Sequence, residues 1–337
     1  MSFLILSIKL MKNILIGLML RPKVGHAWGK ENRMKVFVVG NIAMDQTLAI
    51  DQMPREGASI FGVRVSSDLG GKGTNQAIVL ARCGIRTILV AGIGADVQGR
   101  QMRDLLEREP VIGRLLELPD CASDSTIVLK DAAGGNANIT TVDCARRLEP
   151  ADVRPMIADA TRGDMLVLQG NLSLTTTAGI MEEARRKGVR IVLNPSPFDA
   201  MITSLLPGLD ILFLNEHEAE QITGTQDEAA VTRLLALGIG TVVLTLGSRG
   251  ALLGTEDGLV SVPARSCHVM DSTGAGDTFQ SVAIGSALLR ESRIDARDLG
   301  IAANAAAITV SRFGTVAAFP TQEELAGLLK IDHLKKE

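Results

Sequence analysis

Residues 165–194 read MLVLQGNLSLTTTAGIMEEARRKGVRIVLN. Two short apolar runs, MLVLQ and RIVLN, flank a helical stretch from Thr175 to Lys187. Strand, helix and strand at this spacing imply a right-handed crossover between parallel strands. The pattern continues downstream through the turn NPSP, the strand ILFLN, helices around Glu218 and Ala229, and the strand TVVLTL. Upstream, Val36 to Val39 is a buried strand stopped by Gly40 and Asn41, and Thr87 to Ala91 is another, followed by a helix from Gln98 to Arg108. The segment TNQAIVLARCG follows the glycine loop Gly70 to Gly73, carries Ala77, Ile78 and Ala81 at helical spacing, and stops at Gly84. Thr278 to Arg290, Asp295 to Thr309 and Thr321 to Leu329 close the chain as helices. The expectation is an α/β protein, doubly wound, with a mostly parallel sheet covered by helices on both faces.

Two segments break the rhythm. Ala43 to Asp68, with Pro54, Gly57 and the alternating FGVRV, reads as short antiparallel strands exposed on one side. Thr126 to Lys130 and Asn138 to Val142 form a similar pair around the turn DAAGGN, and the two segments could pair with each other. Ala251 to Pro263 adds short strands around EDG.

Lysine plus arginine (35) nearly balance aspartate plus glutamate (38), and no basic run is interleaved with aromatics, so no nucleic-acid surface is advertised. The four cysteines are scattered without a C-x-x-C pair, which fits a reducing cytoplasm and argues against a zinc knuckle or disulfide framework. The apolar first 33 residues carry Lys9 and Lys12, which deny them the run of about 20 clean residues of a membrane span. Arg21, Pro22 and Lys23 fit a signal peptide poorly. The folded domain is expected to span 34–332, opening at MKVFVVGN, with residues 1–33 outside it and no membrane partner.

Ligands of open parallel sheets gather at the carboxyl ends of strands. GNIAMD and GIGADV lack the glycine pattern of a dinucleotide fold, and GGKGTN lacks that of a Walker P-loop. GGKGTNQ still lets backbone approach a polyhydroxylated ligand, with Lys72 and Asn75 nearby, though it also suits a plain helix start. DSTGAGDTF, residues 271–279, leaves the N–H groups of Gly274, Ala275 and Gly276 at a helix N-terminus, where the macrodipole favours an anion. Asp277 in that first turn is either a base for phosphoryl transfer or a complement to the dipole, with Asp271 or Thr273 as the cap. NEHEAE sets Asn215 and Glu218 one turn apart, suited to hydrated magnesium, with His217 a solvated residue between them. TLGSRG ends a strand with Thr245, Gly247 and Ser248, suited to a nucleotide phosphate or to a simple turn.

In this order, the four loops resemble those of the ribokinase-like (PfkB-type) carbohydrate kinase family, from Met34 to Leu329. GGKGTNQA is similar to the family's first motif and DSTGAGDTF to its second. The resemblance implies a ribokinase-like fold with a small β-sheet lid, here about 43–68 and 121–142, through which family members often dimerise. It implies ATP- and magnesium-dependent phosphorylation of a hydroxyl on a sugar or sugar-like metabolite. Asp277 would be the base, and the amides of Gly274, Ala275 and Gly276 the anion hole. Asp45, Gly71, Lys72, Asn75 and Asn171 would face the sugar; Asn215, Thr245, Gly247, Ser248 and Asn304 the nucleotide; Glu218 the magnesium. Asp271 and Thr273 resemble part of a monovalent cation site for potassium.

The chain departs from ribokinases at three places. Ala43 replaces an asparagine, Asn171 an acidic residue and Ala318 a serine, which puts ribose itself and potassium activation in question. Two alternatives accompany the sugar kinase: a nucleoside or sugar-phosphate kinase, for which Arg64 and Lys72 are the lid-region cations, and a sugar-binding regulator without catalysis.

Overall fold

The computed structural model describes residues 34–133 and 135–330. The segment 1–33 and the last residues of the expected domain lie outside them.

In chain order the chain forms β1 (Lys35–Val39), β2 (Ala43–Ile50), β3 (Gly62–Gly70), α1 (Lys72–Arg82), β4 (Arg86–Gly94), α2 (Val97–Leu106) and β5 (Ile112–Leu118). Then come β6 (Ser125–Asp131), β7 (Asn136–Thr140), α3 (Asp143–Arg147), α4 (Pro150–Met156), β8 (Met165–Gln169), α5 (Leu174–Lys187), β9 (Arg190–Asn194) and β10 (Ile211–Asn215). The remainder is α6 (Glu216–Thr223), α7 (Asp227–Leu235), β11 (Thr241–Thr245), β12 (Ala251–Thr255), β13 (Gly258–Val262), α8 (Ala275–Leu289), α9 (Ala296–Val310) and α10 (Gln322–Leu329).

Nine strands make the main sheet, in the order β13-β12-β11-β10-β9-β8-β1-β4-β5. Every pair from β11 to β5 is parallel; β12 and β13 add an antiparallel edge. The alternation along β1 explains why both faces need helices: Val36 and Val38 sit in a core with α1, α8 and α9, while Phe37 and Val39 sit in a second core with α5 and α7. The chain leaves β1 toward β4 and later returns to β8 on its other side. That reversal opens a crevice beyond the carboxyl ends of β1 and β8, the position where open α/β sheets take ligands.

The two irregular segments do pair with each other. They form a separate four-stranded sheet, β3-β2-β6-β7, in which β2 runs antiparallel to β3 and parallel to β6. Strand β5 was not anticipated: it is half-exposed and carries Arg114 and Glu117 at the sheet edge, so its sequence lacks the apolar signature of the inner strands. Helix α8 starts at Ala275, earlier than the apolar run from Thr278 suggests, because its first turn is built of small and charged residues.

Candidate active site

Four consecutive parallel strands end on a polar residue: Gln169, Asn194, Asn215 and Thr245. Asn194, Asn215 and Thr245 line a cleft together with Lys72, Glu218, Gly276, Asp277 and Gln280. The structure thus brings Lys72 to the same cleft as residues expected to serve the nucleotide. Gly247 and Ser248 lie on an exposed turn after β11, and Asn304 bonds back to the Gly300 carbonyl at 2.9 Å on α9; none of the three lines the cleft.

The first turn of α8 has no side-chain cap. Its N-cap is Gly274, in the left-handed region at φ 74°, and a Cβ there would stand 2.5 Å from the Phe319 ring. Neither Asp271 nor Thr273 caps the helix; the Asp271 carboxylate instead accepts the Thr273 N–H at 3.0 Å and its hydroxyl at 2.7 Å. The expected trio of free amides needs a correction at Ala275, whose N–H closes a turn on the Ser272 carbonyl at 3.3 Å. The N–H groups of Gly274, Gly276 and Asp277 keep no protein acceptor among the described residues. At Gly276 a Cβ would meet nothing within 4 Å, so that side of the turn lies open to the cleft. Three backbone donors at a positive helix end could meet an anion.

Asp277 is buried, and both its oxygens are held by amides of α1: Asn75 Nδ2 donates to Oδ2 at 3.0 Å and Gln76 Nε2 to Oδ1 at 2.9 Å. The Gln76 side-chain oxygen Oε1 in turn accepts from Gln169 Nε2 at 2.7 Å and from Gln280 Nε2 at 3.3 Å, and Asn194 Nδ2 donates to Gln280 Oε1 at 2.9 Å. Each carboxylate oxygen retains a second lone pair, so Asp277 is fixed in orientation and still able to accept a proton. Gln76, Gln169, Asn194 and Gln280 were missed from the sequence. The repeated polar strand ends would have pointed to Gln169 and Asn194, and Gln76 adjoins the glycine loop.

Asp45 enters from β2 of the small sheet. Its carboxylate packs on Gly70, where a Cβ would come within 2.1 Å, and its Oδ2 accepts the Thr315 hydroxyl at 3.2 Å. Burial pushes its carboxyl up to about 6; hydroxyls of Thr126 and Thr315 pull the other way, and the negative charges of Asp277 and Asp68 add to the rise. Four acceptor oxygens near the crevice are buried without a partner among the described residues: Asp45 Oδ1, Asn75 Oδ1, Gln169 Oε1 and Asn171 Oδ1. Orphaned acceptors cost on the order of 1–3 kcal/mol each, a cost that a ligand donating several hydrogen bonds would offset.

Asn215 and Glu218 form a capping box: the Glu218 N–H donates to Asn215 Oδ1 and the Asn215 N–H to Glu218 Oε2, each at 2.9 Å. Three other helices, α4, α9 and α10, carry the same box, so the motif alone has a structural purpose. Its place on the cleft wall is what sets this box apart. Among the described residues no three acidic, histidine or cysteine side chains converge as a metal cage. A single carboxylate with amides fits magnesium that keeps most of its water.

A family model for pfkB family carbohydrate kinase matches residues 33–322. The ribokinase of Haemophilus influenzae is 28% identical over 316 residues, covering 88% of this chain and 99% of that one. The structure of ribokinase from Giardia lamblia superposes with a TM-score of 0.80 at 25% identity, covering 88% of this chain and 98% of the other. Arabidopsis thaliana ribokinase complexed with ribose and ATP shares the fold, with a TM-score of 0.78 at 24% identity over 89% of this chain and 99% of that one. With the family match spanning most of the described fold, the chain belongs to the pfkB family of carbohydrate kinases.

Proposed function

We propose that the protein transfers the γ-phosphoryl group of ATP to a hydroxyl of a sugar or sugar-like metabolite. The observation that carries this reading is the placement of Asp277, clamped by two amides, in the same helical turn as three unpaired backbone N–H groups. The acceptor hydroxyl gives its proton to Asp277 while its oxygen forms a bond to the γ-phosphorus. The bond from that phosphorus to the bridging oxygen breaks, and ADP leaves. The N–H groups of Gly274, Gly276 and Asp277 meet the charge on the transferring group. Magnesium would be held through Glu218, whose Oε1 has no protein partner among the described residues, and would supply charge neutralisation at the phosphates.

The orphaned acceptors of Asp45, Asn75, Gln169 and Asn171 favour a polyol as the acceptor, since hydroxyl groups would satisfy them. Lys72 reads best as a phosphate contact on the nucleotide side, because it shares the cleft with Asn215 and Thr245. Arg64 is exposed on β3 and outside the cleft, which favours an unphosphorylated acceptor over a sugar phosphate. The small sheet would act as the lid, and Phe61, 99% exposed, with Val63, Val65 and Ile139 supplies apolar surface for a dimer contact through it.

The test is ADP release by the purified chain with magnesium and ATP across pentoses, hexoses, sugar acids, nucleosides and sugar phosphates. Release that depends on one unphosphorylated polyol is expected. Binding of a sugar with no ADP release from any acceptor would favour the regulator instead.

A further inference from the structure

The small sheet and the loop that leads into α8 meet at an ion pair. Lys130, near the end of β6, donates from Nζ to Asp271 Oδ2 at 2.6 Å, and the Asp271 side chain is only 6% exposed. Lys130 stands four residues from Thr126 on the same face of β6, and Thr126 is the register partner of Asp45. The Nζ also lies 5.7 Å from the centre of the Phe313 ring. On its other oxygen Asp271 accepts the Thr273 N–H and hydroxyl. Burial opposes ionisation of this carboxyl, yet the ammonium and the two Thr273 donors together hold it below the ordinary carboxylate value.

This donor set does not fit the free potassium ion that the resemblance implies. Both Asp271 oxygens are already engaged, one of them by a full positive charge, and a second cation at the same oxygen would face the Lys130 ammonium at close range. The side chain at 318 is a buried methyl with no oxygen to offer. A carboxylate buried this deeply still needs a positive partner, and Lys130 is that partner.

We propose that Lys130 is a tethered replacement for the monovalent cation: a positioning residue that holds the 271–274 loop, and with it the free N–H groups at the start of α8. The charge that orders the phosphate turn therefore comes from the lid of the same chain and not from solvent salt. Catalysis is then indifferent to which monovalent cation is present.

The proposal rests on the kinase reading only in its turnover arm. Wild type, Lys130→Met and Lys130→Arg would be compared in potassium, sodium and choline chloride by turnover and by thermal unfolding, and crystals soaked in thallium(I) would report cation binding directly. Wild type is expected to change less than about twofold between salts, whereas Lys130→Met is expected to lose about 10- to 100-fold in kcat with little change in KM and to regain most of it in potassium but not in choline. The melting temperature of Lys130→Met should rise with potassium by mass action, and an anomalous thallium peak should appear at Asp271 in that variant and not in wild type. Lys130→Arg should keep most activity without potassium.

Potassium activation of wild type, thallium at Asp271 in wild type, or a Lys130→Met variant that is fully active in choline would overturn the proposal. So would a folded Lys130→Met variant that neither binds thallium nor recovers in potassium. If Lys130→Met does not fold, the wild-type salt series and Lys130→Arg decide. A wild type that turns over no acceptor would overturn the kinase reading and leave the thallium and melting results to judge Lys130.

Discussion

Helices α8 and α9 are each 15 residues long and pack against one another, yet their N-termini are built in opposite ways. At α9 the Asp295 carboxylate accepts the N–H groups of Arg297 and Asp298, Asp298 returns a bond to the Asp295 N–H, and Arg290 ties both carboxylates together. At α8 the corresponding position is a glycine with no side chain, and the first-turn carboxylate of Asp277 is turned to amides of another helix. A side-chain cap is worth about 1 kcal/mol to a helix. The turn at α8 gives up that contribution and leaves the N–H groups of Gly274, Gly276 and Asp277 open, as the proposed anion site requires.

The largest effect in this contrast is expected at Asp277. Asp277→Asn removes the base while leaving a similar shape, so turnover should fall by about 10³-fold or more; the NH2 it sets against the Asn75 and Gln76 donors should also cost about 1–3 kcal/mol of stability. A variant with wild-type turnover would reduce Asp277 to a complement of the dipole. Gly274→Ala attacks the bare turn itself: the left-handed backbone and the Phe319 ring both resist a Cβ, and a drop of about 10²-fold in kcat with about 2 kcal/mol of lost stability should follow. Equal loss of stability with unchanged kcat would mean that the turn shapes the helix and not the reaction.

Asp45 is the carboxylate left without a full set of donors, and its effect is pH-dependent. Its folded value of about 6 lies above the ordinary 3.8, so between those values the folded chain holds a proton that the unfolded chain has lost. Its contribution to stability therefore falls as pH rises from about 4 through about 6 and is flat above that. Urea titrations of wild type and Asp45→Asn at about pH 4 and pH 8 should differ in their pH response by on the order of 2–3 kcal/mol, with the variant gaining relative to wild type at the higher pH. The buried Asp124, also raised to about 6, is common to both proteins and cancels in the difference. In the same window the sugar KM of wild type should rise as pH falls, because protonation removes an acceptor. The smallest effect belongs to α9, where Asp295→Ala should cost about 1 kcal/mol of stability and leave turnover unchanged.

The parts of the molecule that repeat locally were legible in the sequence. Apolar runs bounded by glycine and joined by helices gave the parallel sheet, and the small residues of DSTGAGDTF pointed to a helix start with backbone N–H groups left free, as found at Gly274, Gly276 and Asp277 among the described residues. The parts assembled from distant positions were not. The edge strand β5 has too little buried surface to impose a pattern, and the amide relay from Gln76 to Asn194 draws single residues from α1, β8, α8 and β9. The Lys130–Asp271 pair joins residues 141 positions apart, and neither residue type is unusual where it stands. The use of the Ala275 N–H depends on a turn whose dihedral angles no composition records.

The most direct test of the central claim follows phosphorus itself. Wild type would be incubated with magnesium, ATP and its best acceptor, and ³¹P NMR would track where the γ-phosphoryl group goes. A phosphate monoester of the acceptor rising in step with ADP is the expected result. Inorganic phosphate in place of the ester, or ATP left intact with every acceptor, would contradict transfer to a hydroxyl at Asp277.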